Sequence, residues 1–275
     1  APRRHQPERV TEAVARRVDA RGPIGTCFSA CAASGQAIAE GLWAVRRGEA
    51  EVALVGGHDS MLHPLGMLSF LLLGALSHTT GRPFDRSRDG FLLGEGACVL
   101  VLETAESARR RGVAGRARLL GAGTSVDGYS ATAPQPEGEG AERAMKRALL
   151  DARVDSSRVD YVNAHATGTP VGDVAEAHAI SRVCPQALVS SVKGAIGHTI
   201  AAAGAIEAAT CIAALQGGWV PGTAGLREPD PGCPVRLLRR PVQRELGIVV
   251  SNSFGFGGQN CSLVFGSAQR RYRVA

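Results

Sequence analysis

The sequence predicts an α/β protein of layered helices and sheets, made of two related halves, the first of which lacks an opening β-α-β-α. Three observations carry this. Short β-prone runs alternate along the chain with Ala- and Gly-rich helical stretches. The order of elements near the end repeats the order near the start. A composition of 44% apolar and 20% charged residues with 35 glycines describes a core-forming chain with many tight turns. At 275 residues it can bury one large core or two smaller ones.

The elements follow in order. Residues 7–20 place Val10, Val14 and Val18 four apart among charges, which predicts a surface helix with one narrow apolar stripe. A β-prone run at 24–29 precedes a long helix at 32–47, strands at 52–56 and 97–103, and between them a buried apolar helix around 66–76. In the second part, strands at 117–122, 161–164 and 189–192 each precede a helix, at 141–152, 173–183 and 199–216, and strands at 248–251 and 261–265 close the chain. This alternation predicts parallel sheets covered by helices, with chemistry just after the strands. Residues 51–57 stand where 248–255 stand, and 97–102 where 260–265 stand, so the chain is expected to begin late. The predicted division is 1–22 as a basic helix and linker, 23–115 as a partial first half, and 116–275 as the second half.

The formal charge of +6 is too small to indicate a nucleic-acid binder. Two of the 31 basic residues, Lys146 and Lys193, are lysines and 29 are arginines, so each lysine is informative. Seven cysteines, several inside apolar runs, fit a reduced cytoplasmic setting. No signal peptide is expected from the charged run APRRHQPERV, 66–76 is too short to span a bilayer, and 199–216 holds Glu207 at its middle. No membrane partner is expected.

Cys31 follows the run 24–29 and opens a helix. At that position unsatisfied N–H groups and the helix dipole are expected to lower the thiol pKa and favour a nucleophile. A buried structural cysteine is the commoner reading of the segment alone. A metal held by Cys27 and Cys31 is disfavoured, because no second Cys or His pair stands at ligand spacing. His165 ends the strand YVNAH and opens a polar turn bearing Thr167 and Thr169. Lys193 directly follows a strand and His198 directly precedes a helix, and a buried Lys193 needs a counter-charge, for which Glu207 is the local candidate. The glycine-rich turn 251–260 presents Phe254 and Phe256 as the wall or gate of an apolar channel, and matches no phosphate-cradle spacing.

SACAASG, RPFDRSRDGFLLGEGACVLVLE, YVNAHATGTPVGD, SSVKGAIGHTIAAAGAIE and SNSFGFGGQN, in this order, resemble the β-ketoacyl synthases, the thiolase-fold condensing enzymes of fatty-acid and polyketide synthesis. The resemblance implies a thiolase-like α-β-α-β-α fold and decarboxylative Claisen condensation with malonyl-acyl carrier protein. It implies that Cys31 is acylated and that His165 and His198 bind the malonyl thioester carbonyl. Lys193 then supports the site electrostatically, with Glu207 as the carboxylate beside it. Thr167 and Thr169 contact pantetheine, Phe254 gates the pocket, and the N–H groups of Cys31 and Phe256 form an oxyanion hole. No metal or redox cofactor is implied, since substrates ride on the carrier's phosphopantetheine. The implied partners are acyl carrier protein and, in a homodimer or heterodimer, a ketosynthase-like or complementing chain. Family members carry further residues before the segment matching Gly22. The alternatives are therefore a truncated acyltransferase or decarboxylase, or a non-condensing subunit that needs a complementing chain.

Overall fold

A computed structural model describes residues 8–269. The first helix, α1 (Glu8–Arg17), lies on the surface as expected, but its apolar stripe is not covered: only Ala15 is buried, and Val10, Val14 and Val18 are exposed. The chain then reaches a 3₁₀ turn (Ala30–Ala32) and α2 (Ala33–Arg46), β1 (Val52–Ser60), α3 (Pro64–Leu72), β2 (Glu95–Glu103) and α4 (Ala105–Arg110). The second part runs β3 (Ala117–Val126), α5 (Glu139–Ala152), β4 (Val159–Asn163), α6 (Pro170–Val183), β5 (Leu188–Ser190), α7 (Lys193–Ile196), a 3₁₀ turn (Ile200–Ala202) and α8 (Ala203–Gly217). Short strands β6 (Trp219–Val220), β7 (Arg236–Leu237) and β8 (Val242–Gln243) precede β9 (Ile248–Gly255) and β10 (Gln259–Ser267).

The elements stack in layers. A six-stranded sheet in the order β3-β10-β9-β4-β5-β7 carries α5 and α6 on one face, where Met145, Leu149, Ile180 and Val183 bury against Val162, Val250 and Val264. On its other face α2 and α8 pack side by side, and Ile38, Leu42, Ala208 and Leu215 share one core with Leu263, Phe265 and Val55. The β1–β2 pair covers α2 and α8 from the far side. Small residues set the helix spacing: a Cβ at Gly204 would meet the Gly35 nitrogen at 2.7 Å. The two parts of the chain thus share their central core.

Beyond β1 and β2 the layering stops. Their outer face alternates outward with Val52, Leu54, Val99 and Val101, and the last two are 56% and 57% exposed. α3 presents Leu65, Leu68, Leu71 and Leu72 to solvent and buries only Gly66 and Phe70. The helix expected near 66–76 is present, but it is not buried, because no described element lies over it.

Two further expectations are corrected. Residues 24–29 form no strand: no described strand of the β1–β2 pair receives them, and Phe28 is 71% exposed. The sheets are not wholly parallel. β4, β5, β7 and β9 run parallel, whereas β10 is antiparallel to β9 and β3, and β1 to β2. The three-residue turn Phe256–Gly258 between β9 and β10 allows only an antiparallel return. The repeat read between 51–57 and 248–255 has a counterpart here, since β1–β2 and β9–β10 are both antiparallel pairs flanking the α2–α8 layer.

One helical stretch, Ile200–Gly217, is long and apolar enough to cross a membrane, but 56% of it is buried within the fold as the central layer.

Candidate active site

Cys31 sits in the 3₁₀ turn that feeds α2, after Ala30, whose backbone is left-handed at φ 47. Such a φ strains a non-glycine residue and is kept where surrounding contacts fix the turn. The same geometry recurs 170 residues later. Ile200 has φ 46 and opens the 3₁₀ turn that feeds α8, and the turns are closed by Ala32 N to Ser29 O and Ala202 N to Thr199 O, each 3.0 Å. Ser34 Oγ accepts from Ala205 N at 3.0 Å and ties the two helix starts together.

The two turns differ in what faces them. Gly255, at the end of β9, lies so close to the first that a Cβ there would stand 2.8 Å from Ser29 O and 3.1 Å from the Cys31 nitrogen. At the second, Asp59 near the end of β1 puts Oδ2 3.1 Å from the Ala201 N–H. One half therefore leaves its turn amide open beside the sulfur, and the other fills the equivalent place with a carboxylate.

His198 Nε2 lies 3.0 Å from Cys31 Sγ. His165 stacks edge-on against His198 with ring centroids 5.3 Å apart, and Phe91 does the same from the other side at 5.2 Å. Phe254 packs on His165 at 5.9 Å, and the Phe256 ring packs on Phe70 at 6.3 Å. These side chains meet in a cavity of about 330 Å³ that Thr167 and Thr169 also line. The cavity brings together Cys31, His165, His198, Thr167, Thr169, Phe254 and Phe256 from segments far apart in the chain.

Lys193 and Glu207 do not line it. They are 3% and 1% exposed, and Lys193 Nζ is hydrogen-bonded to Glu207 Oε1 behind the histidines. Glu207 is the counter-charge expected for Lys193 and touches no substrate space: its carboxylate is consumed in neutralising a buried ammonium, without which Lys193 would be an unpaired buried charge.

The electrostatics also correct the expected thiol. Burial pushes Cys31 up to about 11, opposed by the Lys193 charge and by the N–H groups of Phe256 and Cys31, while Asp59 pushes the same way as burial. The regular helix begins at Ala33, two residues on, so its dipole does not outweigh desolvation. Those two N–H groups nevertheless act on the sulfur, where they favour the thiolate. Burial, and next the Lys193 charge, hold both His165 and His198 well below the usual imidazole range, so both rings are neutral near pH 7. Neither Nδ1 has a hydrogen-bond partner, so no neighbour fixes the tautomer and Nε2 is free to accept or donate.

Sequence reasoning missed the groups that hold the His165 loop. Glu176 accepts from the N–H groups of His165 (2.9 Å) and Ala166 (2.7 Å) and from Asn252 Nδ2 (3.0 Å). Asp173 accepts from Phe84 N (2.7 Å) and Gly168 N (3.0 Å). Buried Arg88 donates to the carbonyls of Thr169 (3.0 Å) and Pro170 (2.6 Å) and pairs with Asp230. The available signal was an acidic residue three or six positions past the first residue of the helix that follows the His165 turn. Tertiary contacts across more than 80 residues leave no such mark.

A buried thiol on an imidazole, a second imidazole beside it and two backbone donors at the sulfur are the groups that thiol-based acyl transfer uses, set here on a layered α/β scaffold. Comparison with known proteins agrees. Residues 6–108 match the β-ketoacyl synthase N-terminal domain and residues 116–227 the β-ketoacyl synthase C-terminal domain. The chain is 40% identical over 255 residues to the chloroplastic 3-oxoacyl-[acyl-carrier-protein] synthase II of Arabidopsis thaliana, covering 89% of this chain and 47% of that one. It is 39% identical over 269 residues to 3-oxoacyl-[acyl-carrier-protein] synthase 2 of Staphylococcus aureus strain COL, covering 94% and 65%. The ishigamide ketosynthase/chain length factor superposes with TM-score 0.91 at 37% identity, over 95% of this chain and 65% of that one. The chain belongs to the β-ketoacyl synthase family, and its fold is the thiolase-like fold expected. It spans from about half to two thirds of the length of these relatives.

Proposed function

We propose that the protein is a β-ketoacyl synthase that condenses a Cys31-bound acyl group with malonyl-acyl carrier protein, in fatty-acid or polyketide synthesis. The observation that carries this reading is the 3.0 Å contact between His198 Nε2 and Cys31 Sγ, with His165 beside it in one cavity.

In the first step His198 Nε2 takes the thiol proton as Sγ attacks the thioester carbonyl of an acyl-phosphopantetheine. A new C–S bond forms, the old one breaks, and the departing pantetheine sulfur receives the proton. Backbone N–H groups of Cys31 and Phe256 hold the transient oxyanion. In the second step malonyl thioester loses carbon dioxide. The electron pair of the broken C–C bond moves to the thioester oxygen, where neutral His165 and His198 donate through Nε2. The carbanion then attacks the acyl carbonyl on Cys31, the C–S bond breaks, and the departing Cys31 thiolate takes one proton from solvent to regenerate the thiol. Lys193, neutralised by Glu207, acts through its field by disfavouring imidazolium. Thr167 and Thr169 hold the pantetheine arm and Phe254 gates its entry. No step calls for a metal or redox cofactor.

The partners in this reading are acyl carrier protein and a second ketosynthase-like chain, in a homodimer or heterodimer, within a reduced compartment such as the cytoplasm. The unpaired outer edge of β1 and the bare face carrying Val99 and Val101 support a chain partner. They equally support the second reading, an acyltransferase or decarboxylase that condenses only when a complementing chain is present.

Malonyl-acyl carrier protein supplied with and without an acyl primer separates the two. Extended β-ketoacyl product supports condensation, carbon dioxide release without extension supports the second reading, and neither on folded protein refutes both.

A further inference from the structure

Cys31 Sγ and one ring nitrogen from each of His165 and His198 lie within 4.8 Å of one another, the one such trio of soft metal ligands among the described residues. We propose that this trio binds a thiophilic divalent cation of the Zn²⁺ class reversibly, and that occupancy withdraws the nucleophile. The inference rests on the geometry of three side chains and not on the condensation reading.

Three protein ligands with a fourth position open to a cavity is the coordination of catalytic zinc sites. Around a tetrahedral Zn²⁺ with ordinary Zn–S and Zn–N lengths, ligand atoms stand about 3.5 Å apart. The Cys31–His198 pair, at 3.0 Å, must open slightly, and the widest pair must close by about 1 Å. His165 is half-buried and borders the cavity, so its ring has room for that adjustment. The Lys193 charge, paired with Glu207, opposes a cation here as it opposes imidazolium, and the negative charge of the Cys31 thiolate formed on binding offsets it.

The outer shell argues for reversible binding. Resident zinc histidines donate their other ring N–H to a carboxylate or carbonyl, which orients the ring and strengthens the ligand. Here neither His165 Nδ1 nor His198 Nδ1 has a partner. A site with the right first ligands and no support behind them takes metal and gives it up. Binding is a simple exchange: the S–H bond of Cys31 breaks, an S–metal bond forms, and the proton passes to buffer. No oxidant or reductant is involved.

The probe is CoCl₂ titrated anaerobically into the whole chain. One equivalent is expected to produce a thiolate-to-cobalt band in the near ultraviolet and the visible absorption of tetrahedral cobalt, both erased by ZnCl₂. Cys31→Ser should abolish the ultraviolet band, His165→Ala and His198→Ala should each weaken binding on the order of tenfold or more, and Cys27→Ser should change nothing. As a measurement that needs no variant, ZnCl₂ should protect Cys31 of the unmodified chain from iodoacetamide, and EDTA should restore labelling. Absence of the band at stoichiometric cobalt, its persistence in Cys31→Ser, its loss in Cys27→Ser, or Cys31 labelling indifferent to ZnCl₂ would each overturn the proposal.

Discussion

Asp59 Oδ2 accepts a hydrogen bond from the backbone N–H of Ala201 at 3.1 Å, and so closes the turn that delivers His198, three residues earlier, to the nucleophile. Asp59→Ala leaves that amide without its acceptor, and the loss of such a half-buried hydrogen bond costs about 1 kcal/mol. Asp59→Asn keeps an acceptor oxygen and should keep most of the stability. Urea unfolding of the two variants checks this. Equal loss in both would mean that the charge, not the hydrogen bond, holds the turn.

The same carboxylate enters the titration of Cys31. The thiol is pushed up to about 11 by burial, helped by Asp59 and opposed by Lys193. Iodoacetamide labelling of Cys31, followed by mass spectrometry, should therefore keep accelerating up to about pH 11. Asp59→Asn removes a raising influence and should move the profile to lower pH. Lys193→Met removes the lowering one and should move it higher. Shifts in the same direction would contradict this account of the site's field.

Lys193 and Glu207 form a buried pair, and removing one partner of such a pair costs about 3–5 kcal/mol because the other charge is left uncompensated. Glu207→Leu should be destabilised on that scale, and Lys193→Met/Glu207→Leu should recover most of the loss. Thermal unfolding reads both. A double variant no better than the single would place the cost in packing.

The histidines are separable. Only His198 touches Sγ, so His198→Ala should slow acyl loading of Cys31 by roughly 10²–10⁴-fold, the range of general-base catalysis. His165→Ala should load near normally and fail in decarboxylation. Stopped-flow loading against carbon dioxide release distinguishes the two steps, and equal loading defects would contradict the assignment.

Gly255→Ala tests the close approach of β9 to the nucleophile turn. The new methyl would stand 2.8 Å from Ser29 O, with backbone on both sides and no flexible side chain to yield. Loss of loading with retained helix content by circular dichroism is expected, and normal loading would show that the turn can shift.

How far the sequence could be read followed from the range of the forces involved. His165 was legible because a strand end that opens a turn is a local feature, and Cys31 and His198 because each stands at the start of a small-residue helix within a specific motif. The Lys193–Glu207 pair was legible from the rarity of lysine and a lone acid in an apolar helix. Their position behind the cavity was not, since burial depth depends on how α8 packs against α2. The thiol's direction was misread because helix polarity is visible in sequence and desolvation is not. Phe28 and the leucines of α3 have the composition of packed elements, yet their exposure depends on which neighbours the fold places over them. Asp59 and Arg88 were invisible because their partners lie far along the chain, and Glu176 left only the local mark of an acid in the helix after the His165 turn.

The most direct test of the central claim, that Cys31 is the acyl-accepting nucleophile, is intact-protein mass spectrometry after incubation with an acyl-acyl carrier protein thioester. The account predicts one acyl adduct on the unmodified chain and none on Cys31→Ala. An adduct that survives in Cys31→Ala, or no adduct on a folded chain supplied with its thioester, would contradict it.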